Sequence, residues 1–172
     1  MRHRAVGPDG RLFSYELRPE ILRLAQENLE FLGLSHRVEF KQRDIADGFD
    51  ETDVDALFLD MRQPSAVLPQ VTAALKGSGF FGAILPTTNQ VSELVQAMEL
   101  EQTFGHIEVE EVMLRPYKAV PNRLRPADRM VAHTGYLIFA RKVSREAAGG
   151  EYWQDRRRRR YEGTHAGGDE EA

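Results

Sequence analysis

The stretch Val54-Asp55-Ala56-Leu57-Phe58-Leu59-Asp60-Met61-Arg62-Gln63-Pro64 places the tightest limit on the fold. An apolar run of strand length ends in a carboxylate, and the chain then turns at a proline. In a parallel α/β sheet, ligands bind in the crevice outside the carboxyl ends of the strands. Asp60 is therefore a site candidate. The alternative for an acid at this place is to cap the helix that follows.

The rest of the chain repeats that pattern. Gly7-Pro8-Asp9-Gly10 is turn chemistry, and residues 11–16 alternate as a short strand that also ends in a carboxylate, Glu16. Pro19 suits a first helical turn, and Ile21, Leu22, Leu24, Ala25, Leu29 and Leu32 recur at helical spacing up to a stop at Gly33. Val38-Glu39-Phe40-Lys41 reads as the next strand, leading to Asp44 in a turn, and residues 47–53 read as loop. After the 54–59 strand, a helix is expected over 65–75, stopping at Gly77-Ser78-Gly79. Phe80-Phe81-Gly82-Ala83-Ile84-Leu85 is an apolar run of the kind buried on both faces. Pro86-Thr87-Thr88-Asn89-Gln90 supplies N-cap candidates for a helix whose inner face is Val91, Leu94, Val95 and Met98 and which closes near Gly105. Residues 106–114 alternate as a long strand, 117–131 form a basic, proline-punctuated loop, and 134–141 form the last strand. Early alternation of strand and helix predicts a parallel sheet covered by helices, and the final pair predicts an antiparallel hairpin.

Composition narrows the classes. There is no cysteine, which excludes disulfides, thiolate metal sites and cysteine nucleophiles. No apolar run approaches the roughly 20 residues that span a bilayer. Met1-Arg2-His3-Arg4-Ala5-Val6-Gly7 lacks the apolar core of a signal peptide, so a cytoplasmic protein is expected. A net charge of −4 argues against an indiscriminate nucleic-acid binder. It leaves room for local basic patches, one at Arg115, Lys118, Arg123, Arg125 and Arg129 and another at arginines 156–160. Residues 1–143 read as one partial catalytic domain and 144–172 as a charged, disordered tail.

Three groups of motifs carry a family resemblance. The first is Tyr15-Glu16 with Arg18-Pro19-Glu20 and the helix through Asn28. The second is Arg43-Asp44-Ile45, Gly48-Phe49, Asp53-Val54-Asp55 and Leu59-Asp60. The third is Leu85-Pro86 with Asn89-Gln90-Val91, and Arg129-Met130-Val131 with His133-Thr134-Gly135-Tyr136-Leu137. In order and spacing these resemble the tRNA (adenine-58-N1)-methyltransferase family across roughly residues 10–141. The resemblance implies a Rossmann-like class I methyltransferase sheet, S-adenosylmethionine as cofactor, tRNA as partner, a homotetramer, and no metal. It implies that Glu16, Asp44 and Asp60 contact the cofactor, that Asp60 is also catalytic, and that Asn89, Gln90, Arg129, His133 and Thr134 face the substrate. His133 reads equally as a structural histidine bonded in the last-strand turn. The basic loop reads equally as a phosphate contact, a solvated loop or a subunit interface.

The chain departs from the family in two places. The Gly-rich turn after the first, central strand is absent, as is the family's small N-terminal β domain. With the usual strand order 3-2-1-4-5-7-6, the 11–16 and 54–59 strands then lack their shared neighbour, leaving ladder groups unpaired. The expectation is a chain truncated at its start that binds the cofactor poorly alone. In addition, Met61-Arg62-Gln63-Pro64 stands where the family more often has Leu-Pro-x-Pro. Two other readings remain: a non-catalytic RNA-binding or scaffolding subunit, and a methyltransferase for another substrate.

Overall fold

The computed structural model describes residues 6–7, 10–129 and 133–144. They fall into two compact units that divide after Asp50. The arginines 156–160, the rest of the charged tail and residues 130–132 lie outside the described residues.

The first unit is one strand–helix–strand motif. β1 (Leu12–Glu16) leads into α1 (Pro19–Phe31), and β2 (Val38–Gln42) returns parallel to β1, with Leu12 opposite Val38 and Glu16 opposite Gln42. Pro19 opens the helix, where its missing N–H costs nothing. Gly33, at φ +67°, ends it in a left-handed conformation that only glycine adopts freely. Around the strands, Tyr15 accepts a hydrogen bond from the Asp50 amide at 2.9 Å and meets the Phe49 ring edge-on.

The second unit is larger. β3 (Val54–Leu59), α2 (Leu68–Ala74), β4 (Leu75–Leu85), α3 (Thr88–Glu101) and β5 (Phe104–Glu111) follow in turn. A short antiparallel hairpin, β6 (Tyr117–Lys118) with β7 (Arg125–Pro126), precedes the last strand, β8 (Tyr136–Lys142). The four long strands lie in the order β3-β4-β8-β5. β3 and β4 are parallel, and β8 runs antiparallel to both β4 and β5. Within each unit the strands follow the expected order, β2 beside β1 in the first and β3-β4-β8-β5 in the second. Among the described residues, β1 pairs only with β2, and β3 only with β4.

The core sits on one face of the four-stranded sheet. Leu59, Phe81, Ala83, Leu85, Ile138 and Ala140 are buried there, together with Leu68 and Val71 of α2 and Leu94 and Met98 of α3. The alternate positions Phe80, Ile84 and Phe139 are half-buried and Phe58 is exposed, so the 80–85 run is covered on one face rather than two. Gly82 is buried beneath Phe58; a Cβ there would lie 2.6 Å from the Phe58 ring.

Several boundaries differ from the expected ones. The 65–75 helix begins as a 3-10 turn, Pro64–Val67, and becomes α-helical around Pro69. Pro69 has no N–H to offer the preceding turn, which sets the start of α2 there. Gly77-Ser78-Gly79 is an irregularity inside β4, not a stop before it: the register moves from Val54 opposite Leu75 to Ala56 opposite Phe80. α3 closes at Gln102 in the left-handed region (φ 54°), before Gly105. β5 therefore starts and ends earlier than 106–114, and the 117–131 loop contains the β6–β7 hairpin.

Candidate functional site at the carboxyl strand ends

Each sheet presents acids and polar groups at its carboxyl edge. In the first unit, Glu16 ends β1 and Asp44 follows β2 by two residues. Glu16 Oε1 accepts from the Arg18 backbone N–H at 2.9 Å and from Arg18 Nε at 3.1 Å, and Oε2 accepts from Nη2 at 3.2 Å. The bonds from Arg18 hold the Glu16 carboxyl below its usual range. The Leu17 backbone also bonds this carboxylate, so Arg18 and Leu17 together fix its orientation at the end of β1. Asp44 Oδ1 accepts from the Ala46 amide at 2.9 Å and caps the short 3-10 helix Ile45–Asp47. Beside it, Asp50 pairs with Lys41 at 2.9 Å and with Arg43, and Lys41 first and foremost keeps its carboxyl low.

In the second unit, Asp60 stands exposed directly after the buried Leu59. It does not cap the next helix. The residue at the start of the 3-10 turn is Gln63, and α2 starts from Val67, neither with a side-chain cap. Past the end of the adjacent strand β4, Thr87 caps α3. Its Oγ1 accepts from the Gln90 amide at 3.4 Å and donates to Gln90 Oε1 at 2.7 Å, a variant of the Thr-x-x-Gln capping box. Gln90 Nε2 donates to the Arg62 carbonyl at 2.9 Å, which ties α3 to the loop after Asp60. Asn89 is exposed on the same first turn.

His133 and Thr134 precede β8, whose first residue, Tyr136, lies opposite both Leu85 and Glu111. That register brings them to the edge where β4 and β5 end. His133 bonds Glu111 at 2.5 Å and the Pro86 carbonyl at 2.8 Å. The structure thus gathers Asp60, Asn89, Gln90, His133 and Thr134 at one edge of the second unit and places Glu16 and Asp44 at the corresponding edge of the first. Arg129 is exposed in the chain following β7. Glu111 and Arg62 were not singled out by sequence, because nothing local marks an acid at a strand end or a loop carbonyl as partners of distant side chains. Among the described residues, no group of three or more His, Asp or Glu is arranged to hold a metal, and no helix is long and apolar enough to cross a membrane.

A mostly parallel sheet of this order, with its acids at the carboxyl ends of the strands, defines the class I methyltransferase fold. Solved structures agree. A SAM-dependent O-methyltransferase from Thermotoga maritima superposes with a TM-score of 0.78 at 55% identity, over 82% of this chain and 53% of that one. A tRNA (m1A58) methyltransferase from Aquifex aeolicus does so with a TM-score of 0.72 at 38% identity, over 78% and 54%. A tRNA (adenine(58)-N(1))-methyltransferase of Thermus thermophilus is 34% identical over 140 residues, 81% of this chain and 54% of that protein. The family model described as the tRNA methyltransferase complex GCD14 subunit matches residues 1–125, and the chain belongs to that family. It spans little more than half the length of these relatives.

Proposed function

We propose that the whole protein transfers a methyl group from S-adenosylmethionine to N1 of an adenine in tRNA, of the position-58 type, with Asp60 as the acid that meets the target base. The observation that carries this reading is an exposed carboxylate at the end of β3 that caps no helix, in a chain of the GCD14 family.

S-adenosylmethionine supplies an electrophilic methyl group on a sulfonium. Glu16 and Asp44 suit its adenosine end. Glu16, oriented by Arg18 at the end of β1, is an acid suited to a ribose diol, and Asp44, whose Oδ1 caps the 45–47 turn, suits the adenine amino group. As N1 of the target attacks, that ring becomes cationic and its exocyclic amino group a better donor. Asp60 accepts from it, and the bond strengthens as charge develops, which favours the transition state over the ground state. Bond formation needs no proton transfer to Asp60, so its task is positioning and charge stabilisation.

Arg115, Arg123, Arg125 and Arg129 are exposed around the β6–β7 hairpin and suit phosphate contacts, which give affinity without sequence choice. Val112, Met113, Leu114 and Leu124 of the same segment are exposed apolar residues, and they support an oligomer, a homotetramer by family resemblance.

A second reading is favoured by the Thermotoga neighbour, whose 55% identity accompanies the description O-methyltransferase. Incubating the whole protein with tRNA and isotopically labelled S-adenosylmethionine, followed by mass spectrometry of the nucleosides, separates the two. The expected product is 1-methyladenosine, formed only when tRNA is present. Label on a ribose or small-molecule oxygen, or product formed without tRNA, would establish the second reading instead. RNA binding with no transfer at all would make the chain a scaffold.

A further inference from the structure

Hydrogen bonds, joined through the Pro86-Thr87 backbone, link three strand ends of the second unit, with His133 as hub. Nδ1 lies 2.5 Å from Glu111 Oε1 at the end of β5. Nε2 lies 2.8 Å from the Pro86 carbonyl oxygen just after β4. An ionised carboxylate and a backbone carbonyl are acceptors only. A neutral imidazole has one N–H and leaves one of the two contacts as lone pair against lone pair. The imidazolium satisfies both. Among the described residues, the titratable groups against the ring are Glu111 from β5 and Tyr136 from β8, whose ring centroid is 4.6 Å away; from the β4 end it meets the Pro86 carbonyl. The bonds continue beyond Pro86. Thr87 donates to Gln90 Oε1 at 2.7 Å, and Gln90 Nε2 donates to the Arg62 carbonyl at 2.9 Å, two residues beyond Asp60.

We propose that Glu111 and the protonated His133 are positioning residues: together they clamp the Pro86–Gln90 turn, and Gln90 in turn fixes the loop that follows Asp60. The catalytic consequence rests on the function proposed above; the clamp itself does not. The bond to Glu111 foremost, then that to the Pro86 carbonyl, raises the His133 pKa above that of a free imidazole. With a raised folded-state pKa, the clamp is intact below about pH 6.5 and is lost as pH rises through the folded value. The carboxylate is the stronger acceptor and retains the remaining proton on Nδ1, so the Pro86 contact is the one released. Deprotonation therefore frees the turn while His133 stays tethered to β5.

The test is a pH titration of the whole protein followed by NMR of labelled imidazoles and backbone amides. The expected result is a His133 midpoint above the free-imidazole value that falls toward it in Glu111→Gln. The amides of Thr87, Gln90 and Arg62 should shift with the same midpoint. A His133 midpoint that is ordinary, or unmoved by Glu111→Gln, overturns the clamp. Amides that ignore the His133 titration overturn the coupling to the Asp60 loop. In methylation assays kcat should fall with pH through that midpoint while KM for tRNA stays constant. His133→Gln should remove that limb and lower kcat at pH 6 on the order of tenfold. A limb that persists in His133→Gln overturns the positioning role. Absence of any methylation with the NMR behaviour as expected would instead reject the proposed function and leave the clamp standing.

Discussion

β1-α1-β2 and β3-α2-β4 are the same motif, a strand, a helix and a parallel strand, yet they end in different states. In the second unit β4 has neighbours on both sides, and Val71 and Phe81 are wholly buried. Among the described residues of the first unit β1 and β2 have only each other, no residue of α1 is buried, and Phe31 is 91% exposed. The helices differ little in their apolar supply. What differs is the number of strands beneath them, since two strands and one helix cannot enclose side chains from all directions. The first unit relies instead on exposed charge pairs around Asp50 and Glu16, which are individually weak.

The largest expected effect sets the two units directly against each other. Phe81→Ala should cost about 3–5 kcal/mol, and Leu24→Ala, on the half-exposed face of α1, less than about 0.5 kcal/mol by denaturant titration. Comparable losses would mean that α1 is as well packed as the core. A smaller contrast lies in how the helices end. Lys142 Nζ donates to the Thr72 and Leu75 carbonyls at 2.6 Å each, meeting the negative end of α2. Lys142→Met should cost about 2 kcal/mol, whereas Gly33→Ala at the end of α1 should cost about 1 kcal/mol through its positive φ. Smaller again is Thr87→Ala, about 1 kcal/mol for a lost cap; α1 has no side-chain cap to lose.

The subtlest contrast is in pH. Glu16 and Asp50 have lowered pKa values, so their contribution is present above the unfolded carboxylate values and fades as pH falls through the folded ones. His133 has a raised value, and its contribution fades as pH rises. Amide shifts across a titration should therefore loosen the first unit on the acid side and the turn at Pro86 on the neutral to alkaline side. Both changes occurring in the same direction would contradict the pairings.

Features decided locally were legible in the sequence. Pro19 and Gly33 bound α1, Thr87 caps α3, and the alternating or continuous apolar runs locate the long strands. Features decided by distant partners were not. His133 meets Glu111 and Pro86 across 22 and 47 residues of sequence, and Gln90 meets Arg62 across 28. No periodicity encodes those separations. The β6–β7 hairpin has no sequence signature, because two-residue strands bounded by prolines leave no alternation to read. Of the candidate site, the positions of the strand-end acids were legible, and the partners that hold its side chains, Glu111 and the Pro86 carbonyl on His133 and the Arg62 carbonyl on Gln90, were not.

The central claim is that Asp60 acts on the base and not on folding or cofactor retention. The most direct measurement is single-turnover tRNA methylation by the whole protein carrying Asp60→Ala, with cofactor affinity measured by calorimetry on the same preparation. The expected result is a rate lowered by about 10²–10³-fold with affinity changed by no more than about threefold. Equal losses in rate and affinity, or a rate left intact, would contradict it.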